Sequence, residues 1–448
     1  VNGHLKSLGD RQIIVMGSIK GLERFDSPGK GRGLRVTKAF KVGELLFSCP
    51  AYSSVLAVEE RGSFCEFCFN RKQGLARCGK CKKASYCNAK CQQKADWPMH
   101  KLECSAMIAF GEKWCPSEIC RLVARILVKK KSQKEISSSE KMMQVGEMQS
   151  HLEDMDNKRR EISESDIAQL HQFYSKHLDF PDHQELLSLF SQVSCNGFTI
   201  EDEELSHLGT AVYPDVALIN HSCLPNTIIT FNGTSAEIRA VKDIKPGDEV
   251  FISYIDLLYP TDDRNNRLRE SYYFTCQCQE CQSRSQDKVK LKVRKRSDPI
   301  EEEVVNNMER YARKAIKEFR ASKHYRNILF ELLEICEQSL EKMGSVFEDS
   351  NVYMLHMMYQ AMGVCLYMQD IDEAIKYGEK LIKPYSQLYS PLSLNLSSIY
   401  LKLGRLYMTM DSHSAGVKML KKAMAIMEVA HGKDHLYMEE LRKEIAQK

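Results

Sequence analysis

The sequence NHSCLPN, residues 220–226, places a histidine two residues before a cysteine. His221 and Cys223 allow three hypotheses: a nucleophile beside its base, half of a metal site, or a tight turn whose backbone matters more than its side chains. Two residues apart in a turn, these side chains need not face each other, and catalytic cysteine–histidine pairs are usually distant in sequence. The stretch alone therefore disfavours a hydrolase and leaves the other two hypotheses open.

A cysteine cluster lies downstream of this stretch, at residues 276–281. Cys276-x-Cys278-x2-Cys281 offers three thiolates, one fewer than a tetrahedral structural zinc site requires. A fourth ligand must come from elsewhere in the chain. Outside the upstream cluster described next, spacing alone leaves open the candidates Cys49, Cys115, Cys120, Cys195, Cys223, Cys336 and Cys365.

The upstream cluster occupies residues 65–104 and contains seven cysteines and one histidine. Its four ligand pairs are Cys65-x2-Cys68, Cys78-x2-Cys81, Cys87-x3-Cys91 and His100-x3-Cys104. Tetrahedral Zn²⁺ takes four nitrogen or sulfur ligands, so eight ligands predict two ions. We expect pairs one and three to bind one ion and pairs two and four the other. Metal binding is expected to supply most of the folding energy of so small a module.

The composition is that of an ordinary globular protein of two or three domains. The chain has 448 residues, of which 43% are hydrophobic. A net charge of +4 argues against strong nonspecific nucleic-acid binding, and direct DNA binding is not expected. No membrane span is predicted, because no run of about 18 apolar residues occurs. The N-terminus lacks a secretory pattern, so we expect a reducing compartment in which clustered thiols favour metal over disulfides.

Hydrophobic periodicity divides the chain into strand-rich and helical parts. Short strands are predicted at residues 22–60, around the glycine-rich turn SPGKGRG (27–33), and again at 195–255. A helical pattern covers residues 115–192, including the stretch EKMMQVGEMQSHLEDMDNKRRE (140–161).

The last third of the chain follows a basic segment. KVKLKVRKRSD, residues 288–298, is predicted to be a solvated linker rather than a nucleic-acid contact. Residues 300–448 show a helical pattern, and two segments that begin at Met362 and Leu403 share a glycine, a tyrosine and an amphipathic helix. The second contains Leu403-Gly404-x-x-Tyr407, which matches the tetratricopeptide signature. We predict helix-hairpin repeats, with an ordinary helical bundle as the alternative.

Several motifs together resemble a SET domain with its post-SET zinc site. They are NHSC, GDEVFISY (247–254), Y-x-F-x-C-x-C-x-x-C (272–281), and SPGKGRG, which matches the N-terminal turn of that domain. The upstream cluster resembles a MYND zinc finger more than a RING-type module, although its Cys91-to-His100 gap is one residue longer than expected. The chain is therefore similar to the SET-and-MYND (SMYD) family of protein-lysine methyltransferases.

The resemblance implies an α+β fold. A β-rich SET domain would carry an inserted zinc finger and a helical insert, followed by a post-SET zinc site and an all-α, tetratricopeptide-like C-terminal domain. The expected parts are an N-terminal extension (1–19), the first SET part (20–64), the MYND finger (65–104), the helical insert (105–194), the SET core (195–258), the post-SET segment (259–285) and the C-terminal domain (300–448).

The resemblance also implies the role of individual residues. Cys223 would complete the post-SET zinc site, which makes three zinc ions in all. Tyr254 would be the catalytic hydroxyl, and Tyr272 and Phe198 would wall the lysine channel, where aromatic faces hold a methylammonium by cation–π attraction. The residues expected to bind the cofactor S-adenosylmethionine are Lys30, Gly31, Arg32, His151, Cys195, Asn196, Asn220, His221, Tyr272, Tyr273 and Phe274.

The implied activity is methyl transfer to lysines of histone H3 and of non-histone proteins, including the basic tail of the tumour-suppressor transcription factor. Monomethylation, regulation of transcription, a cytoplasmic and nuclear location and a monomeric state are expected. The finger is expected either to dock proline-rich peptides or to brace the structure. The C-terminal half is expected to build an acidic groove for a basic peptide, with EDEEL (201–205) as an acidic lip or a solvated loop. The alternative function is a catalytically weak peptide-binding scaffold or transcriptional co-repressor.

Overall fold

The strands are short and almost all antiparallel. The computed structural model describes residues 17–322 and 328–446, without the side chains of 94–97, so most of the expected N-terminal extension lies outside the described residues. The strands are β1 (Leu22–Ser27), β2 (Gly31–Val36), β3 (Leu45–Pro50), β4 (Ser53–Leu56), β5 (Ala76–Arg77), β6 (Ser85–Tyr86), β7 (Gly197–Glu201), β8 (His207–Val212), β9 (Asn220–His221), β10 (Thr227–Asn232), β11 (Ser235–Ala240) and β12 (Phe251–Ile252).

Helices occupy the insert after the zinc finger, the post-SET segment and the C-terminal part. Within the described residues, none is both long and apolar enough to cross a membrane. They are α1 (Trp97–Phe110), α2 (Glu118–Ser132), α3 (Asn157–Tyr174), α4 (His183–Asn196), α5 (Pro214–Ala217), α6 (Thr261–Tyr272), α7 (Gln279–Ser283), α8 (Asp287–Lys290), α9 (Glu302–Ser322), α10 (Leu329–Gly344), α11 (Val352–Tyr367), α12 (Ile371–Leu388), α13 (Leu394–Thr409), α14 (His413–Ala430) and α15 (Leu436–Ala446).

Two three-stranded sheets, β10–β11–β3 and β4–β8–β7, share one hydrophobic core with the β1–β2 hairpin. The hairpin turn contains Gly29 and Gly31, whose φ angles of +72° and +77° favour glycine. The parallel pair β9–β12 places Asn220 beside Phe251 and His221 beside Ile252. This pairing brings the NHSC motif and the strand before Tyr254 to one place.

The helical pattern predicted for 140–161 is wrong over its first part. Residues 140–156 form a loop with two 3₁₀ turns, Val145–Glu147 and Leu152–Asp154, and α3 begins only after it. The carboxylate of Asp215 accepts the backbone N–H groups of residues 141, 142 and 143 at 2.9, 2.7 and 3.1 Å. Because this distant side chain offers the backbone an alternative set of acceptors, the segment lies against the SET core as a loop.

A buried ion-pair cluster fixes the zinc finger to the helical insert. Arg121 of α2 is fully buried and donates to Glu103 Oε1 at 2.9 Å and to Glu66 Oε1 at 3.1 Å. Arg125 donates to Glu103 Oε2 at 2.8 Å. Removal of one partner from such a cluster leaves a buried charge uncompensated. The finger is therefore held in one orientation against the insert.

The extra residue between Cys91 and His100 is accommodated by a wider helical turn. Residues Lys90–Asp96 form a π-helix, which continues into α1. A π-helical turn takes one more residue than an α-helical turn, so a one-residue insertion is absorbed without moving the flanking ligands.

The C-terminal helices α9–α15 surround a second hydrophobic core. The helical prediction is confirmed, and each of the two similar segments spans the turn of one hairpin, α11–α12 or α13–α14. Gly404 and Gly416 allow close contact between α13 and α14. A Cβ at Gly404 would lie 2.8 Å from a Leu420 methyl group, and one at Gly416 would lie 3.0 Å from the Gly404 carbonyl oxygen.

The predicted basic linker is exposed over most of its residues, as expected for a solvated segment, but it is also bonded to the parts that it connects. Lys290 is only 4% exposed, and its Nζ donates to the carbonyl groups of Leu257 at 2.8 Å and Tyr259 at 3.1 Å. Burial, and then the nearby Arg264, lowers the pKa of Lys290 to about 8. Two arginines further along donate to carbonyl groups at the end of α10. The segment therefore connects the post-SET part to the C-terminal helices through hydrogen bonds to both.

Of the acidic residues of the EDEEL segment (201–205), Glu201 lines the cavity, whereas the others are neither an open acidic lip nor a solvated loop. Arg405 of α13 pairs with Glu203 at 3.2 Å and with Glu204, and also with Glu444 of α15 at 2.8 Å. Ser398 Oγ donates to the Glu204 carbonyl at 2.7 Å. The loop therefore anchors the C-terminal helices to the SET part.

A second anchor lies between α14 and α15. Thr230 Oγ1 donates to the Ala430 carbonyl at 3.2 Å, and His435 Nε2 donates to the Phe231 carbonyl at 3.1 Å. His431 is 5% exposed and its ring centroid is 5.0 Å from that of His435. Burial, followed by His435 and Arg239, lowers the pKa of His431 to about 3.

We predict that this anchor weakens in mild acid. The unfolded chain binds a proton at His431 below about pH 6.5, whereas the folded chain does not until about pH 3, so the stability is present above pH 6.5 and declines as pH falls. Between pH 7 and pH 5 the wild type should lose about 2 kcal/mol more than His431→Gln in urea unfolding. Equal losses in the two proteins would contradict this assignment.

Candidate active site

Hydrogen bonds of Asn220 and Glu249 join the glycine-rich turn to the NHSC motif. Asn220 Nδ2 donates to the Arg32 carbonyl at 3.0 Å and to Glu249 Oε1 at 2.9 Å. Ser27 Oγ donates to the other Glu249 oxygen at 2.9 Å. A Cβ at Gly33 would lie 2.8 Å from Glu249 Oε1, so this contact requires glycine. The Asn220 side chain is thus committed to the fold, which leaves its backbone for any ligand.

Two cations of the turn line a large cavity beside this junction. Lys30 Nζ lies 3.8 Å from Glu249 Oε2 and 5.2 Å from the centroid of the Phe251 ring. Among the described residues, no carboxylate lies within ion-pair distance of Arg32, and burial together with Arg24 lowers the pKa of Arg32. An anionic ligand would relieve both effects. The turn therefore fits the carboxylate of an amino-acid-like cofactor.

The end of α4 holds residues 149–151 at the rim of the cavity. Asn196 Nδ2 and the Cys195 thiol donate to backbone carbonyl groups of this segment at 2.8 and 3.9 Å. His151 has a φ of +51°, and its ring stacks on Tyr273 with centroids 5.0 Å apart. Of the four predicted cofactor residues in this region, His151, Cys195, Asn196 and Tyr273, only Tyr273 does not line the cavity. Its ring packs against that of His151.

Aromatic side chains line one end of the cavity: Tyr254, Tyr272, Phe198 and Phe274. The rings of Tyr254 and Tyr272 have centroids 5.0 Å apart, and Phe274 lies edge-on to Tyr254 at 6.3 Å. The Tyr254 hydroxyl donates to the Ile219 carbonyl at 2.6 Å. Burial, and then the neighbouring Tyr272, raises the pKa of Tyr254, so its hydroxyl is neutral at pH 7 and can accept a hydrogen bond through its oxygen.

His221 and Cys223 face each other, which their spacing in the sequence did not require. His221 Nε2 lies 3.3 Å from Cys223 Sγ, and the Tyr254 backbone N–H donates to His221 Nδ1 at 3.0 Å. Burial lowers the pKa of His221 to about 4, so the ring is neutral. Because Nδ1 accepts, the ring proton lies on Nε2 and points to the sulfur. This histidine is a donor to the thiol and not a base that has taken its proton.

Three sets of cysteine and histidine ligands assemble, and the ligand atoms of each set lie within 4.8 Å of one another. The sets are Cys65, Cys68, Cys87 and Cys91; Cys78, Cys81, His100 and Cys104; and Cys223, Cys276, Cys278 and Cys281. The first two are the interleaved pairs expected for the finger. The third selects Cys223 from the seven candidates that spacing left open.

The separations within these sets suit tetrahedral zinc. Four sulfurs bound at about 2.3 Å in a tetrahedron lie about 3.8 Å from one another. The Sγ atoms are 3.6 Å apart for Cys68 and Cys87, and 3.5 Å apart for Cys223 and Cys281. The donor set and its geometry therefore both fit Zn²⁺, and they leave Cys223 no role as a nucleophile.

The cavity extends from the glycine turn to the C-terminal helices and has a volume of about 1920 Å³. Its acidic side chains come from the SET and post-SET parts, namely Glu201, Asp256 and Glu280. Among the described residues, the C-terminal half contributes no acidic side chain, so the expectation that it supplies an acidic groove is wrong. It contributes Arg320, His356 and neutral polar groups, among them Tyr359, Gln360, Tyr385, Gln387, Tyr389, Ser393, Asn395 and Ser398.

Comparisons with known proteins agree with this architecture. A family model described as "SET domain" matches residues 31–255. The human protein "N-lysine methyltransferase SMYD2" is 65% identical over 425 residues, which cover 95% of this chain and 98% of the relative. The chicken protein of the same name is 64% identical over 95% of this chain and 97% of its own length. "N-lysine methyltransferase SMYD2-A" of Xenopus laevis is 63% identical over 96% of this chain and 100% of its own length.

A solved structure described as "Structure of Rubisco LSMT bound to AdoMet" overlaps 97% of this chain and 94% of its own. With a TM-score of 0.33 and 12% identity, this overlap is too weak to inform the site.

The fold, the zinc sites and the relatives define a SET-domain protein methyltransferase. The chain belongs to the SMYD family of N-lysine methyltransferases. It is an enzyme that methylates protein lysines with S-adenosylmethionine, and its three ligand sets fit three zinc ions.

Three residues that support the site were not predicted as site residues, although Glu249 lies within the GDEVFISY motif. Glu249 links the glycine turn to Asn220, and Asp215 holds the loop before α3. Arg264 of α6 is 2% exposed and donates to Cys223 Sγ at 3.3 Å and to Cys281 Sγ at 3.5 Å. Four thiolates around one Zn²⁺ carry two net negative charges, which this guanidinium offsets.

We predict three zinc ions per chain by metal analysis of the purified protein. Cys223→Ser should contain two, because a tetrahedral site with three thiolates binds zinc more weakly. Cys115→Ser is the control, since this exposed cysteine belongs to none of the three sets and its loss should leave three ions. Two ions in the wild type, unchanged in Cys223→Ser, would remove Cys223 from the site.

Proposed function

We propose that the enzyme monomethylates lysines in basic segments of histone H3 and of non-histone proteins, among them the basic tail of the tumour-suppressor transcription factor. The observation that supports this proposal is the aromatic end of the cavity, where Tyr254 and Tyr272 face each other with ring centroids 5.0 Å apart. Rings this close are in contact with each other, and they form an aromatic wall against which an extended alkylamine can pack. Glu201 and Asp256 line the same cavity, and burial raises the pKa of Glu201 to about 7 and also raises that of Asp256. A lysine or arginine that flanks the substrate lysine would favour the charged form of these carboxyls, which gives the site a preference for basic peptides.

The chemistry requires a neutral amine in a dry channel. Bound S-adenosylmethionine supplies a methyl carbon already activated by a sulfonium. A lysine amine has a pKa near 10.4 in water, and an apolar, cation-containing site favours its neutral form. Tyr254 would then accept a hydrogen bond from the amine through its oxygen, because its own proton is donated to the Ile219 carbonyl. Catalysis consists of positioning and exclusion of water rather than of general-base chemistry.

The proposed cofactor contacts follow the wall of the cavity. Lys30, Gly31 and Arg32 would take the methionyl carboxylate, with backbone amides and two cations. The backbones of Asn220 and His221, the end of α4 at Cys195 and Asn196, and His151 would take the amine and the ribose. Phe274 and Tyr272 would stack on the adenine, with Tyr273 holding His151 in place.

We also propose that the enzyme acts as a monomer in the cytoplasm and nucleus. The MYND finger would dock proline-rich peptides, and its rigid attachment through Arg121 supports a docking surface of fixed orientation relative to the active site.

Tyr254→Phe is expected to lower the methyl-transfer kcat by at least about 100-fold, because the amine loses its acceptor and the ring loses its tether to Ile219. The measurement is transfer of tritium from labelled S-adenosylmethionine to a histone H3 peptide. Tyr367→Phe is the control: this tyrosine is 78% exposed on α11, and the substitution should leave the rate unchanged. Full activity in Tyr254→Phe would refute the assigned role.

The substrate class and product state are tested together on a peptide array with mass-spectrometric readout. We expect single methyl additions on lysines flanked by basic residues, and weaker labelling when the flanking residues are changed to glutamate. Glu201→Gln should reduce the preference for basic flanks without abolishing methylation. Trimethylated products, or equal labelling of acidic and basic peptides, would contradict the proposal.

A further inference from the structure

We propose that His221 is a positioning residue that couples the post-SET zinc site to the backbone of Tyr254. Its imidazole bridges the two through two hydrogen bonds. Nε2 lies 3.3 Å from Cys223 Sγ, and Nδ1 accepts the Tyr254 backbone N–H at 3.0 Å. The inference rests on the proposed catalytic role of Tyr254, and it adds a physical link between that residue and a metal ligand.

The bond from the Tyr254 N–H to His221 takes the place of the next backbone hydrogen bond between β9 and β12. In the β9–β12 pair the Ser222 N–H donates to the Ile252 carbonyl at 3.0 Å, and the regular pairing stops there. The chain then turns away, with Ser253 Oγ donating to the Ile255 carbonyl at 2.7 Å. Among the described residues, the partner of the Tyr254 amide is the imidazole of His221. A side chain therefore carries the interstrand contact at the catalytic position.

The metal end of the link fixes the plane of the ring. A zinc-bound thiolate accepts N–H groups from outer-shell partners, and these partners set the orientation of their neighbours. Cys223 Sγ is approached by His221 Nε2 and, at the same distance of 3.3 Å, by Arg264 Nε. With the sulfur held by zinc, the Nε2–H direction is determined, and the acceptor lone pair on Nδ1 then points at Tyr254. A thiol released from zinc can rotate away from the ring.

The catalytic end of the link involves both the backbone and the hydroxyl of Tyr254. Its backbone N–H donates to His221 Nδ1, and its hydroxyl donates to the carbonyl of Ile219, which lies two residues before His221 in the chain. Both ends of Tyr254 are thus tied to one short segment. A small rotation of His221 shifts the Tyr254 ring relative to Tyr272, which is 5.0 Å away, and should reduce kcat more than it raises the peptide KM.

Two substitutions at His221 separate hydrogen bonding from packing. His221→Phe keeps a ring against Tyr254 and Phe274, whose centroids lie 5.3 and 5.9 Å from that of His221, but it neither donates nor accepts. His221→Gln can do both. We expect His221→Phe to lower kcat by about 10- to 100-fold and to speed hydrogen exchange of the Tyr254 amide about tenfold. His221→Gln should recover most of both losses.

Removal of zinc from the post-SET site provides a second test of the link between that site and Tyr254. Cys276→Ser should lose the post-SET ion without replacing either residue of the link, and Cys68→Ser should lose an ion from the finger. We expect faster exchange of the Tyr254 amide in the first variant and unchanged exchange in the second. Amide exchange is read at the single residue by fragmentation mass spectrometry, with zinc content and circular dichroism measured on the same samples.

Each outcome decides between the link and a simple packing role. Slow Tyr254 exchange in His221→Phe, or in a Cys276→Ser protein that has lost its zinc, would overturn the proposal. Damage in His221→Gln but not in His221→Phe would show that ring packing, and not the pair of hydrogen bonds, is what matters. Failure of the catalytic assignment is distinguishable, because it would appear as an active Tyr254→Phe enzyme whatever the exchange rates are.

Discussion

The assembly of Cys223 with three post-SET thiolates is the constraint on which the rest of the active site depends. These cysteines come from two parts of the chain, and their sulfurs meet at a separation that suits one zinc ion. A zinc ion held by these four cysteines would attach the segment that carries Tyr272 and Phe274 to the NHSC turn. Arg264 offsets the negative charge of the site, and His221 links it to Tyr254. The residues around this ligand set thereby form the aromatic part of the cavity wall.

The C-terminal half completes the cavity from the other side. Three sets of contacts anchor it: Arg405 pairs with the EDEEL loop, the α14–α15 turn contacts β10, and Lys290 of the basic segment bonds to the post-SET part. Arg405 pairs with Glu203 and Glu204, so these two carboxylates of the EDEEL loop do not face the substrate as the sequence had suggested. What remains on the cavity wall from the C-terminal helices is mostly neutral and polar. Selection for basic peptides would therefore fall to the carboxylates on the SET side, Glu201 and Asp256.

The accuracy of sequence-based prediction follows the range of the interactions involved. The ligand pairs of the finger were paired correctly because each pair is local and tetrahedral zinc requires four ligands. The loop at residues 140–156 was predicted as helix because its composition is helical. Its backbone is instead held by Asp215, about seventy residues away, and periodicity carries no information on such a contact. The spacing of His221 and Cys223 likewise could not show that their side chains meet.

Residue spacing, periodicity and motifs were enough to predict the ligand pairs of the finger, the helical C-terminal half and the class of enzyme. Local spacing and periodicity encode these features, because they depend on residues close together in the chain. The three-dimensional fold was needed to show which cysteine completes the third ligand set, what the EDEEL loop contacts and how His221 is oriented. Each of these outcomes depends on atoms from distant segments that approach within about 4 Å, the range of hydrogen bonds and ion pairs. That proximity exists only after the β9–β12 pairing and the docking of the C-terminal helices have formed.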